Sequence, residues 1–400
     1  MTTPQETTEQ NEAWKKRRRF LETSLNPFPE YRILRESDPV LYDEERKWWE
    51  VYRYQDVQRI INDYATFSSE RLLKDQDFRR QVEEQEEFAP SILNLDPPRH
   101  RKLRSLITQA FTPRAVTQMT PRITTIVHEQ LDTVASTGHM DVIEDLSYPL
   151  PVIVIAEMLG IPSEERAQFK RWSDDILSPD EEKPRQTLKE MNNYFRPVIA
   201  ERRVAPGDDL ISALVAAEVD GEKLTEPELL SFCVILLIAG NVTTTNLIGN
   251  AILCFDDHPQ VMDELRADPS LMPSAVEEVL RYLSPVQRLI RAAAVDTVIG
   301  DKQIKEGVIV VPCLGSANRD EAQFPDPDVF DIHRTPNRHL AFGHSIHFCI
   351  GAPLARLETK IALEAMLQRF SDIQRVRDIP LETVSGFLGV KRLSITFKGK

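Results

Sequence analysis

Residues Leu229 to Phe255 form the most apolar stretch of the chain, and they limit its fold more than any other feature. Leu229 to Ala239 is nearly unbroken, interrupted by Ser231, and Gly240, Asn241, Thr243, Thr244 and Thr245 then follow. A membrane span wants about 18 or more apolar residues without such breaks. A helix that is apolar all round in a soluble protein belongs at the centre of a large fold. Thr225-Glu226-Pro227-Glu228 suits its start, with a Thr cap, an early Pro, and Glu three residues after the Thr. The stretch therefore predicts one long central helix with the rest of the chain packed around it.

Helical periodicity dominates elsewhere, as in Leu103 to Phe111, Ile123 to Val134, Thr187 to Arg203 with a kink at Pro197, and Pro353 to Phe370. Strand-like segments are short: Trp48 to Tyr52, Val298 to Ile304, Val308 to Val311 and Leu393 to Phe397. With 14 Gly in 400 residues and no G-x-G-x-x-G, nothing suggests a Rossmann cofactor domain. The expected fold is mainly α with small β-sheets (α+β). Residues 1–20 form a polar tail and residues 21–400 a single large helical domain. The tail ends in the basic run Lys15 to Arg19 with no apolar segment after it, so it is no signal peptide. A solvated tail entering a helix and a membrane-surface contact both fit. A net charge of −14 argues against nucleic acid as the main partner. The four cysteines, Cys233, Cys254, Cys313 and Cys349, include no C-x-x-C and make no disulfide framework, so a reducing cytoplasm fits.

Four of the eight His fall between His333 and His347, just before Cys349. His339, His344, His347 and Cys349 could hold zinc, although closed sites usually draw on two separated ligand pairs. Cys349 could equally be an incidental buried cysteine in a loop. A third reading makes it an axial thiolate to haem iron. Such a thiolate needs a tight loop before a helix, whose N-terminus stabilises its charge. Ile350, Gly351, Ala352 and Pro353 follow, then an amphipathic pattern through Leu354, Leu357 and Ile361. Pro353 suits an opening turn, and Gly351 allows close backbone approach.

The run Phe342-Gly-His-Ser-Ile-His347-Phe-Cys349-Ile-Gly351 resembles the haem-binding signature of the cytochromes P450, F-G-x-G-x-H/R-x-C-x-G. The likeness extends from about Asn26 to the C-terminus and matches the soluble bacterial type. It implies haem b on Cys349, with Phe342 and Gly351 shaping the loop. Glu278-Val-Leu-Arg281 matches the family's E-x-x-R, at a spacing that puts both side chains on one helix face. Alone, such a pair is commonly a surface ion pair. The resemblance implies a buried structural pair, with Arg334 as a candidate third partner. Ser274-Ala-Val-Glu277 reads as a capping box before it, and Pro285 as its end. In Asp96-Pro-Pro-Arg-His100-Arg-Lys-Leu-Arg104, the likeness assigns His100 and Arg104 to the haem propionates, along with Arg291 and His347. Arg99, Arg101 and Lys102 would face an acidic electron donor.

Ala239-Gly240-Asn241-Val242-Thr243-Thr244 is similar to the family's A-G-x-E/D-T-T, so Ala239 and Gly240 would lie against the haem. Asn241, Thr243 and Thr244 become catalytic candidates, with Thr243 the hydroxyl that guides protons. Two departures stand out. Val242 replaces the usual acid, and Ser345 replaces a usual Gly. If the backbone at 345 has positive φ, Ser costs roughly 1–2 kcal/mol there. The resemblance implies a monomeric monooxygenase that uses O2, a separate ferredoxin and its NAD(P)H-dependent reductase. Its pocket would be lined by Ile92, Leu93, Ile238, Val242, Val286, Leu289, Phe387 and Leu388, each of which could equally be ordinary core. The apolar wall suits a fatty acid, terpenoid or steroid. Val242 leaves a peroxide-driven or otherwise unconventional reaction as the alternative, and a non-catalytic haem-binding sensor as a further one.

Overall fold

The computed structural model describes residues 15–71, 91–176, 178, 180 and 182–400. Six helices position the site: α1 Arg99–Ala110, α2 Pro149–Met158, α3 Arg166–Ile176, α4 Glu226–Asp257, α5 Met272–Tyr282 and α6 Ala352–Arg369. The apolar stretch is α4, 32 residues long. At a rise of 1.5 Å per residue it runs about 48 Å. Its capping box is formed, with the Glu228 carboxylate accepting from the Thr225 amide at 2.9 Å. By length and composition α4 could cross a membrane, but 72% of its most apolar window is buried within the protein. It is the core helix of the fold.

Two glycines let α4 pack closely. A Cβ at Gly240 would lie 3.1 Å from Ile155 of α2, and one at Gly249 would lie 2.8 Å from Ile143. The second approach is closer than real Cβ atoms come.

Short strands flank this helical core. They are β1 Val40–Asp43, β2 Trp48–Val51, β3 Phe67–Ser68, β4 His139–Asp141, β5 Glu218–Val219, β6 Glu222–Lys223, β7 Arg291–Ala293, β8 Thr297–Ile299, β9 Lys302–Ile304, β10 Ile309–Pro312, β11 Phe370–Arg375 and β12 Ser394–Gly399. A mixed five-stranded sheet has the order β1-β2-β10-β7-β3. Val40 faces Val51 across its antiparallel edge, and Ile309 pairs with Trp48 across the parallel β10–β2 step. β11-β12-β4 form a second sheet, and β5–β6 and β8–β9 are hairpins. A large apolar cluster fills the helical body, and a smaller one, including Val51, Ile60, Phe67, Val310 and Phe324, backs the five-stranded sheet.

Three local expectations need correction. Val298 to Ile304 is a hairpin rather than one strand, because Gly300 turns the chain with φ +57°. The Ser274–Glu277 capping box does not form. Helix α5 begins two residues before Ser274, after a turn capped by Asp268, and the Ser274 hydroxyl donates to the Ile332 carbonyl at 2.5 Å. Residues 15–23 are helical and Leu21 is buried, so the tail boundary set at residue 20 falls inside a helix. Residues 1–14 of that tail lie outside the described residues. The helix Glu182–Val204 continues through Pro197.

Candidate active site

Cys349 stands three residues before the start of α6, whose N-cap is Gly351 and whose first turn holds Pro353. Its amide donates to the Phe342 carbonyl at 2.9 Å, which closes the loop into a compact turn. Burial pushes the Cys349 thiol up. The amides of Gly351 and Ala352 and the guanidinium groups of Arg104 and Arg356 oppose that by favouring the thiolate. Gly343 has φ +69° and Ser345 φ 58°, so Ser345 occupies the left-handed region that the sequence raised as a condition.

Beside this loop four basic side chains gather. The His100 and His347 rings lie 4.3 Å apart, centroid to centroid. Burial, then Arg291, His100 and Arg104, drive His347 down to about 3. Burial and the Arg104 charge lower His100, and burial draws Arg291 down to about 10. Arg291 is 8% exposed, and its NH1 donates to the Ile290 carbonyl at 2.8 Å. Among the described residues no carboxylate pairs with Arg104 or Arg291, and buried His100 Nδ1 has no hydrogen-bond partner. The charges of Arg104 and Arg291, held without a carboxylate beside two neutral imidazoles, ask for an anion. A cysteine at a helix N-terminus next to it fits a haem, whose iron takes a thiolate and whose propionates take cations.

The cradle is tied together by residues the sequence reading passed over. The Ser69 hydroxyl lies 3.3 Å from His347 Nε2. Asp96, just before α1, accepts from the Ser69 amide at 3.1 Å and from the Ser68 hydroxyl. This joins the end of β3 to the start of α1. Asp96 had drawn notice only as the first residue of a basic run.

The α5 pair is buried. Glu278 and Arg281 are both 0% exposed and bond through both oxygens, at 2.8 and 2.7 Å. Arg281 also donates to the carbonyls of Asn318, Pro327 and Val329, and Arg334 Nε reaches Glu278 at 3.3 Å. Asn337 donates to Glu278 at 3.2 Å, and Asn318 accepts from the Leu340 amide at 2.7 Å. Together they fix the connection that leads into the Cys349 loop.

On α4, Ala239 is exposed in the middle of a largely buried helix, with Ile235, Ile238, Gly240 and Thr243 partly exposed around it. That face is the least covered part of the helix's middle. The Thr243 hydroxyl donates to the Ala239 carbonyl at 2.8 Å. Such a bond to the residue four back tends to bend a helix, although α4 continues past it. Asn241 does not join Thr243. It is 0% exposed and donates to the Ser173 hydroxyl of α3, while Thr245 donates to its Oδ1 at 3.2 Å. Thr244 is 3% exposed and buried too. A step of 100° per residue turns both away from that open face. Val242 is nearly covered, at 6% exposure.

Val286, Leu289, Ile92 and Phe387 are partly buried, and Leu93 is 51% exposed. Leu388 is a core side chain, 4% exposed, so its side chain does not line a wall as expected. Ile290, exposed and adjacent to Arg291, was missed.

The zinc arrangement does not form. His339 bonds Glu277, His344 bonds Asn62 and His347 turns to the basic cluster. No metal-binding group of His, Cys, Asp and Glu occurs among the described residues. The residues expected to face an electron donor differ in their local partners. Arg99 pairs with Glu222 and Glu228, and Lys102 with Glu222, so the β5–β6 hairpin and the start of α4 occupy both. Arg101 remains exposed, reaching the Tyr64 hydroxyl at 3.3 Å.

The family model for cytochrome P450 matches residues 152–391. Cytochrome P450 109 of Bacillus spizizenii is 42% identical over 390 residues, covering 94% of this chain and 93% of the relative. Cyclomarin C epoxidase CymV of Salinispora arenicola is 42% identical over 380 residues, 92% of this chain and 95% of its own. Among solved structures, CYP109Q5 from Chondromyces apiculatus superposes with a TM-score of 0.89 at 47% identity, covering 96% and 97% of the two chains. CYP109E1 from Bacillus megaterium, in complex with testosterone, gives 0.84 at 42% identity, covering 93% and 99%. Because these likenesses embrace the cysteine loop, the basic cradle and α4 together, the chain belongs to the cytochrome P450 family of monooxygenases.

Proposed function

We propose that this chain inserts one oxygen atom of O2 into an apolar small molecule of steroid, terpenoid or fatty-acid type. The observation that carries this reading is the face of α4. A single hydroxyl, that of Thr243, stands on its uncovered face among Ile235, Ile238 and Ala239, and this face would form the floor of the substrate cleft. A structural neighbour holds testosterone, which makes a steroid the first substrate to try.

Haem b, when bound, supplies O2 reduction and attack on an unactivated C–H bond. Cys349 would hold its iron, and His100, Arg104, Arg291 and His347 its carboxylates. The apolar walls keep water from the reacting carbon and orient it. The Thr243 hydroxyl, already donating to the Ala239 carbonyl, holds a proton at the cleft and can exchange that bond for one to a guest. Asn241 and Thr244 are left out of this role by their burial.

Electrons would come from a separate ferredoxin and its NAD(P)H-dependent reductase, with exposed Arg101 a contact for an acidic donor. All four cysteines are free, which supports a reducing, cytoplasmic setting. A monomer suffices for this chemistry. Val242 carries a second reading. An apolar side chain stands where the family has its acid, so protons must reach the cleft without a carboxylate at that position. Peroxide, which brings both oxygen and protons, would bypass that need.

The test is turnover of testosterone and of lauric acid by haem-loaded protein, with O2, ferredoxin, reductase and NAD(P)H, or with hydrogen peroxide alone. Hydroxylated product in the first system supports the proposal. Product with peroxide alone moves the assignment to the second reading, and ligand-induced spectral shifts without product in either system would reduce the chain to a haem-binding sensor.

A further inference from the structure

Asn250 lies on α4 two turns beyond Thr243 and is 0% exposed. Its side-chain nitrogen donates to two carbonyls on separate segments, Leu283 at 2.8 Å and Leu388 at 2.9 Å. Leu283 opens the connection that carries Val286 and Leu289, and Leu388 follows Phe387 on the C-terminal loop. The two segments also bond each other, the Leu388 amide donating to the Pro285 carbonyl at 2.8 Å. The loop is itself a closed unit. Thr383 bridges Val390, and the Val384 amide donates to the Gly389 carbonyl at 3.1 Å. These bonds close the loop on itself.

An amide nitrogen has two hydrogens set about 120° apart, so two bonds of this length hold their acceptors about 5 Å from each other. Asn250 uses both hydrogens, and its own Oδ1 has no partner among the described residues. One turn earlier, Asn246 donates to the Val242 carbonyl at 2.9 Å, and its Oδ1 would lie 2.0 Å from a Cβ at residue 389. Glycine at 389 lets the loop settle onto α4 at this height. The wall before β7 is fixed from behind as well. The Leu289 amide donates to the Pro312 carbonyl and the Gly315 amide to the Gln287 carbonyl, both at 3.1 Å. With one wall backed by the sheet, the placement of the other rests on the Leu388–Pro285 backbone bond and on the bonds from Asn250, which brace both segments from α4.

We propose that Asn250 is a positioning residue for substrate selection, its side-chain amide setting the separation of the Pro285–Leu289 and Phe387–Leu388 walls above α4. This rests on the proposed function, in which those segments wall the substrate cleft. Asn250 touches neither substrate nor haem. Its effect falls on ligands wide enough to meet both walls and spares ligands that meet only the iron.

The experiment compares wild type, Asn250→Leu and Thr245→Val as haem-loaded proteins. Thr245→Val removes buried hydrogen bonds on the same helix, to Ser147 and Asn241, without touching either wall. Each protein is titrated with imidazole and with 4-phenylimidazole by absorbance. Both ligate iron through nitrogen, and only the second extends to the walls. Asn250→Leu is expected to shift the ratio of the two dissociation constants by about tenfold, with imidazole affinity kept. Thr245→Val is expected to leave the ratio within about twofold. If Asn250→Leu does not load haem, Asn250→Ser, whose hydroxyl can serve one carbonyl but not both, is expected to shift the ratio in its place. An unchanged ratio in the folded Asn250 variant, or the same shift in Thr245→Val, overturns the proposal. Failure of wild type to give the carbonyl band of a thiolate-ligated haem would instead overturn the functional reading beneath it.

Discussion

Ser345 sits at φ 58° in the loop that delivers Cys349, in a conformation that glycine adopts freely and serine does not. The loop keeps its shape because the Cys349 and Phe348 amides both find carbonyl partners within it. Another residue is held under greater electrostatic cost. Glu358 on α6 is 1% exposed, and burial raises its carboxyl to about 8, with Oε2 unpartnered among the described residues. A folded-state value above the unfolded one near 4.5 means the fold prefers the neutral acid. There is no cost below about pH 4.5. The cost grows as pH rises toward 8, on the order of 3 kcal/mol by pH 7. Denaturant midpoints of wild type and Glu358→Gln should therefore agree near pH 5 and separate by pH 7.5, with the variant more stable. A gap that does not change with pH would mean that the carboxyl is solvated or paired. At this scale the family motif foretold the gathering of His100, Arg104, Arg291 and His347 beside the Cys349 loop, which the structure brings together. It misled on Asn241 and Thr244, because neighbours of Thr243 in the chain are turned from it around the helix.

Between elements, the buried Glu278–Arg281 pair ties α5 to the connection before the cysteine loop, through Arg334, Asn337 and three backbone carbonyls. Arg281→Leu strands a carboxylate in the core and should cost about 3–5 kcal/mol, read as loss of folded, haem-loaded protein. Full retention of both would show that the pair is dispensable. The spacing of Glu278 and Arg281 was readable. The neighbouring Glu277 was misread as a cap, because its real partners lie 62 and 79 residues away at His339 and Arg356. Burial works against the Glu277 charge, yet Arg356 and His339 hold its carboxyl down to about 2. A folded-state value below the unfolded one stabilises above about pH 4.5, and that stability is lost as pH falls from there toward 2. Glu277→Gln should lose about 2 kcal/mol at pH 7, after allowance for partial exposure, and approach wild type in acid. Equal losses at pH 7 and pH 3 would contradict this. Strand pairing was the less legible part. β2 meets β10 across some 260 residues, and nothing local in either segment names the other.

Taken whole, the molecule is organised by α4, whose apolar length the sequence made plain and whose burial the fold supplies. Around it the fold gathers Cys349 with His100, Arg104, Arg291 and His347, and Asn250 bonds the carbonyls of Leu283 and Leu388 from two separate segments. The pairing of Arg99 and Lys102 was not legible, since the acid that takes up both comes from a hairpin more than a hundred residues on. The proposed O2-driven and peroxide-driven readings would use the same site, so substrate turnover separates them, while the identity of the iron ligand underlies both. The most direct test is the absorbance difference spectrum of the dithionite-reduced, haem-loaded protein with and without carbon monoxide. The account predicts a Soret band at the strongly red-shifted position of a thiolate-ligated carbonyl complex, abolished in Cys349→Ala. A band typical of histidine-ligated haem in wild type, or an unchanged band in Cys349→Ala, would contradict it.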